Sequence, residues 1–167
     1  SGDAEISSSV ELSLQGKTYT AIAEQGRWTV SIATAQLASL LEGGNTVTVL
    51  ARDAAGNQSE IASRTLIVDT QAPSVTATIN QIVDDVGANQ GALGAGDTTD
   101  DQRLALSGAL SRTLVSGEQV VVFDTVNNSK LGVATTVGQS WSLTTPVLAG
   151  GQHRFSVQVE DAAGNLS

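Results

Sequence analysis

The chain has 167 residues, with 17 acidic side chains against 8 Lys plus Arg, and a net charge of −9 at neutral pH. That balance excludes nucleic acid and anionic membrane surfaces as partners, since both need basic patches, and it leaves cation binding open. There is no Cys, so the chain is either intracellular or exported and stabilised by something other than disulfides, for instance bound metal. Aromatics make up only 3%, so thin cores of Val, Ile, Leu, Thr and Ala are expected. No apolar run approaches the roughly 18 residues of a membrane span. The chain opens on Ser1 without a signal segment. It reads as a piece of a longer protein, in which case the missing leader says nothing about compartment.

In chain order, Val10–Leu14 and Tyr19–Ala23 alternate with period two and flank Gln15-Gly16, a hairpin signature. Trp28–Ile32 predicts a third strand. Ala35–Leu41 has helical spacing and stops before Gly43-Gly44, which predicts a helical turn crossing one end of the module. Thr46–Ala51 and Ile61–Val68 predict two more strands. Between them stands Asp53-Ala54-Ala55-Gly56-Asn57, which returns letter for letter as Asp161-Ala162-Ala163-Gly164-Asn165, and Ser59 and Ser167 follow at the same distance. A repeated turn closing repeated strands makes the chain a tandem of one module.

Asp69-Thr70-Gln71-Ala72-Pro73 is a short, stiff boundary, because Pro73 cannot join a ladder and biases Ala72 to extended geometry. The second module starts with Val75–Ile79. It then carries an insertion, residues 84–101, rich in Gly and Asp and expected to be loop throughout. Strands resume at Leu104–Ser107, Val120–Phe123, Leu131–Val137, Trp141–Thr144 and His153–Val159. Trp141 answers Trp28, and Leu148–Gly151 answers Leu41–Gly44.

Ser1-Gly2 matches Ser107-Gly108, a period of about 106 residues. That length, about seven strands per module and one Trp near the middle fit an immunoglobulin-like sandwich. The expected architecture is all-β, with two tandem Ig-like β-sandwiches cut out of phase with the repeat. Residues 1–71 form a module lacking its first strand. Residues 72–167 form a module with the Asp-rich insertion and without its last strand. Open sheet edges follow, and these are sites for pairing with another chain.

The run Ala-x-Asp-Ala-Ala-Gly-Asn-x-Ser, with Val68-Asp69-Thr70-x-Ala72-Pro73 and Val83-Asp84-Asp85-Val86-Gly87…Thr99-Asp100-Asp101…Leu106-Ser107-Gly108, resembles the tandem bacterial Ig-like repeats of giant type I secreted surface adhesins. The resemblance spans essentially the whole chain. It implies an extracellular extender on the bacterial cell surface, supporting adhesion and biofilm formation, with calcium stiffening the joints between modules. The partners it implies are neighbouring repeats, and a host or matrix surface reached through another region.

Strand alternation puts the Asp161–Asn165 turn at the pole where the linker bearing Asp69 enters. Asp69 and Asp161, with Asn165 or carbonyls nearby, are therefore candidate Ca2+ ligands, since calcium takes 6–8 oxygens. Asp53 and Asn57 occupy the matching place at the first module's outer pole, near Asp3. Asp84, Asp85, Asp97, Asp100 and Asp101 crowd like charges into the insertion, where a cation would order the loop. Each reading has a plainer rival. Asp at the first and Gly at the fourth position is an ordinary type I turn. Asp69 could simply bond backbone, and the insertion could be a mobile acidic loop that lacks EF-hand spacing.

His153, the one histidine, reads as a strand-end residue in phase with Phe155 and Val157. There is no Gly-x-Ser-x-Gly elbow and no phosphate-binding Gly loop, and the adjacent Asp84-Asp85 is not the facing carboxylate pair of a glycosidase. Trp28 and Trp141 read as core. An enzyme is not expected. The rival functions are a glycan- or protein-binding module and an accessory repeat of a secreted enzyme.

Overall fold

The computed structural model describes residues 1–88 and 90–167; Asn89, inside the 84–101 insertion, lies outside the described residues. The chain divides into two compact units, Ser1–Thr70 and Gln71–Ser167.

The first unit holds β1 (Gly2–Asp3), β2 (Ser9–Leu14), β3 (Lys17–Ile22), β4 (Arg27–Trp28), α1 (Thr34–Leu37), β5 (Gly43–Arg52) and β6 (Ala62–Val68). One sheet has the order β3-β2-β5-β6, and β1 pairs with β4 alone. Alternation in β2 sends Val10, Leu12 and Leu14 into the core with Ala23 and Trp28. The β2–β3 hairpin turns on Gln15 (φ 49°) and Gly16 (φ 72°), two positive-φ residues whose twist matches the flanking strands.

Two expectations are corrected here. The strand expected over Trp28–Ile32 is shorter and ends at Trp28, which pairs with Gly2 of β1. The helical turn expected over 35–41 is the four-residue α1, whose N-cap Ala33 has no side chain to cap it.

The second unit holds β7 (Ala77–Asp84), β8 (Gly91–Ala92), β9 (Ala105–Leu110), β10 (Gln119–Asp124), β11 (Ser129–Val133), β12 (Thr135–Val137), β13 (Ser140–Thr144) and β14 (Phe155–Glu160). Its sheets run β11-β10-β14 and β12-β13-β9-β7-β8. Between them lie Val75, Leu106, Val120, Val122, Trp141 and Val159. Apolar inner faces on two layers of strands make this a sandwich.

The single strand expected over Leu131–Val137 is two strands in different sheets. The chain changes sheet at buried Ala134, whose N–H donates to the Val120 carbonyl at 2.9 Å. The insertion is not loop throughout, since β8 pairs Gly91 and Ala92 with Asp84 and Val83. Leu93 adds a backbone bond to the Ile82 carbonyl and packs on the core, so one apolar residue ties the loop down. The last expected strand begins at Phe155, because the His153 side chain is drawn to Asp124.

Candidate metal sites at the ends of the two units

The two copies of the repeated turn have one geometry. Gly56 N–H donates to the Asp53 carbonyl at 3.1 Å, and Asp53 N–H donates to the Asn57 carbonyl at 3.0 Å. The Asp53 carboxylate accepts Asn57 N–H on one oxygen (2.8 Å) and Asn57 Nδ2 on the other (2.7 Å). Asp161 accepts the N–H groups of Ala163 and Asn165, both at 2.9 Å, on Oδ1, and Asn165 Nδ2 at 2.9 Å on Oδ2. Gly is required at the fourth place, since Gly56 and Gly164 sit at φ 92° and 91°. Ser59 and Ser167 lock each turn to its strand, donating N–H to the carbonyls of Ala51 and Val159 and accepting those residues' N–H on Oγ. The Asn side chain, then the backbone donors, hold the Asp53 and Asp161 carboxyls below their ordinary range. Both turns are therefore complete without a cation, and an ion at either one would compete with the Asn amide for the outer oxygen.

Asp53 and Asn57 share a cleft of about 540 Å³ with Asp3, as their expected proximity requires. Asp161 stands at the end of the second unit where β7 begins. Thr76 bonds Ser111 just past β9, and a Cβ on Gly117 in the next loop would meet the Ala162 methyl at 3.2 Å. Asp69 follows β6 in the first unit and is exposed, and nearby Thr70 donates N–H and Oγ1 to the Glu42 carboxylate.

The insertion occupies the opposite end of the second unit. Its carboxylates are not equivalent. Asp84 is buried and accepts from Val86 N–H and the Thr99 hydroxyl, and Asp97 accepts Gly94 N–H. Asp101 is 7% exposed; one oxygen accepts Arg103 N–H, and the other is buried with no hydrogen-bond partner. It lines a cleft with Asp85 and Asp100. Among the described residues, no three His, Asp or Glu side chains converge closely enough to form a ready metal cage. The bare Asp101 oxygen is nevertheless the place where the donor set fits a cation, since burying an unpaired carboxylate oxygen is costly.

The most heavily bonded carboxylate is one that sequence reasoning did not single out. Asp124, with a side chain 2% exposed, accepts His153 Nδ1 at 2.7 Å, Asn127 Nδ2, and the N–H groups of Val126 and Arg154. Burial pushes its carboxyl up, and the bonds from His153, Asn127 and the backbone overcome that and hold it far below the carboxylate range. Asp124, then the Ala149 carbonyl, raise the His153 imidazole against its burial. His153 Nε2 faces the Ala149 carbonyl at 2.8 Å, and its ring stacks on Phe155. With an acceptor at each nitrogen, the imidazolium is the fitting form.

Asn45 holds the same place in the first unit. Its Nδ2 donates to the Leu41 carbonyl at 2.7 Å, four residues back as His153 reaches Ala149. Leu41 thus answers Ala149, one residue later than the letter match of Leu41–Gly44 to Leu148–Gly151 predicts. The signal was the shared distance to the repeated turn, from Asn45 to Asp53 and from His153 to Asp161, hidden by the exchange of Asn for His.

Residues 1–70, the first unit, match the family model described as a bacterial Ig-like domain. No curated protein matches the chain. The second unit carries the same turn, and the pairing of Gly2 with Trp28 recurs as Gly108 with Trp141. The all-β sandwich class expected from sequence therefore stands, and the likeness to a bacterial Ig-like domain holds for residues 1–70. No helix among the described residues is long and apolar enough to cross a membrane.

Proposed function

We propose that the chain is a pair of structural extender repeats from a bacterial cell-surface adhesin, stiffened by Ca2+ at module joints and supporting adhesion and biofilm formation. The observation that carries this reading is the repetition itself. Both units carry the same closed Asp-Asn turn, and each has carboxylates clustered at one of its ends. All five aromatic side chains are buried or half-buried, which leaves no exposed stacking platform for a glycan and favours the spacer over the binding module.

At the joint, Asp69 and Asp161 with Asn165 would hold the ion, and Asp53 with Asn57 the corresponding one. In the insertion, Asp101, Asp85 and Asp100 would do so, with Asp84 and Asp97 shaping the loop. Calcium supplies charge neutralisation and fixed oxygen coordination there.

Thermal unfolding in calcium, in magnesium and in chelator tests the proposal. An ion that binds only the folded state adds about 2.7 kcal/mol at a hundredfold excess over Kd, so calcium should raise the midpoint and magnesium should not. Identical midpoints in calcium and chelator overturn the calcium reading. Asp69→Ala should loosen the joint while each unit stays folded, and an unchanged scattering envelope for that variant in calcium overturns the joint role.

A further inference from the structure

The two units build one corner with different chemistry. β10 sets Asp124 opposite Phe155, and β2 sets Leu14 opposite Val47. His153 and Asn45 each stand two residues before those partners. Leu14, 5% exposed, therefore holds the place of Asp124, as Asn45 holds that of His153. A buried ion pair in the second unit answers an apolar side chain and an amide in the first.

In both units this residue reaches back four positions to a carbonyl, Asn45 Nδ2 to Leu41 and His153 Nε2 to Ala149. The Asn45 amide is a donor at every pH, and its Oδ1 accepts Leu41 N–H at 3.1 Å. The His153 ring faces an acceptor at each nitrogen, Asp124 Oδ2 at 2.7 Å and the Ala149 carbonyl at 2.8 Å. Only the imidazolium donates to both. Once it loses a proton, the carboxylate keeps the remaining one on Nδ1, and Nε2 turns a lone pair on the Ala149 carbonyl. The opposite tautomer would let Asn127 Nδ2, at 3.3 Å, serve a bare Nδ1, but it sets a lone pair against the Asp124 charge.

Residues 145–152 connect β13 to His153. Thr145 N–H donates to the Leu104 carbonyl and Leu148 N–H to the Gln102 carbonyl, and the Leu148 side chain is buried. Residues 149–152 are exposed. Among the described residues, the bond from His153 to Ala149 is the one hydrogen bond that holds them. We propose that the 145–152 connector is a proton-operated latch, closed by the imidazolium of His153 and loosened when that proton leaves, whereas the amide corner of the first unit is indifferent to pH. Asp124 is the charged side chain that faces the ring. Lys130 on β11 is turned to Glu160, Arg154 meets Asp124 through its backbone N–H, and no insertion aspartate among the described residues bonds to the ring. Asp124, then the Ala149 carbonyl, raise the imidazole above its ordinary 6.5, so the latch is fully closed below 6.5 and opens as pH climbs through the raised value. The proposal is independent of calcium.

Hydrogen exchange on the 15N-labelled full chain in chelator, from about pH 6 to about pH 9, tests it, with each rate divided by that of an unstructured chain at the same pH. Protection of Leu148 N–H should fall about fivefold or more, the worth of one hydrogen bond, in step with the titration of the His153 ring signals. Protection of Leu41 N–H in the first unit should stay level. Asp124→Leu with His153→Asn installs the first unit's pair and should abolish the pH dependence. Level protection at Leu148 across the His153 titration, an equal fall at Leu41, or a dependence that survives in the paired variant would each overturn the latch. The unsubstituted chain decides the matter even where the paired variant fails to fold.

Discussion

Asp124→Ala removes the acceptor of four hydrogen bonds and strands the His153 imidazolium against a single carbonyl. Breaking a buried pair by deleting one partner costs about 3–5 kcal/mol, because the other charge is left uncompensated. A domain the size of the second unit loses about 4–8 °C of midpoint per kcal/mol, so the expected drop is about 12 °C or more. Trp141 fluorescence in a Trp28→Phe background reports on that unit alone.

The pH dependence follows from the two shifts. His153 is raised in the folded state, so its contribution is complete below its ordinary value of 6.5 and is lost as pH climbs through the raised value. Asp124 is depressed, so its contribution is complete above its ordinary 3.8 and is lost as pH falls through the depressed value. The second unit should therefore lose stability from pH 6.5 upward, and Asp124→Ala should flatten that slope while returning His153 toward its ordinary pKa. A midpoint drop below about 4 °C, the range of an exposed ion pair, would refute the reasoning.

Gly108→Ala places a methyl group against the Thr78 carbonyl, and backbone cannot swing aside as a side chain can. It should destabilise the second unit by about 4 kcal/mol or more, read by urea unfolding through Trp141. Asn45→Ala removes the bonds to Leu41 and Gly43 that fold the 41–45 segment onto the first unit. A loss of about 1–3 kcal/mol is expected, read through Trp28 in a Trp141→Phe background.

The sequence by itself determined the all-β class, the repeat and the hairpin at Gln15-Gly16. Period-two alternation and turn residues are local properties, and Val10, Leu12 and Leu14 face the core because successive side chains point to opposite sides of a strand. It also marked the Asp53 and Asp161 turns, whose bonds close within five residues. What it could not resolve depends on partners distant in the chain. Whether 131–137 stays in one sheet was settled by the burial of Ala134 against Val120. The pairing of Asp124 with His153, 29 positions later, and the buried, unpartnered oxygen of Asp101 arise only when separate strand ends meet at one pole. A carboxylate's neighbours there are set by sheet order and register, which the spacing of letters along the chain does not encode.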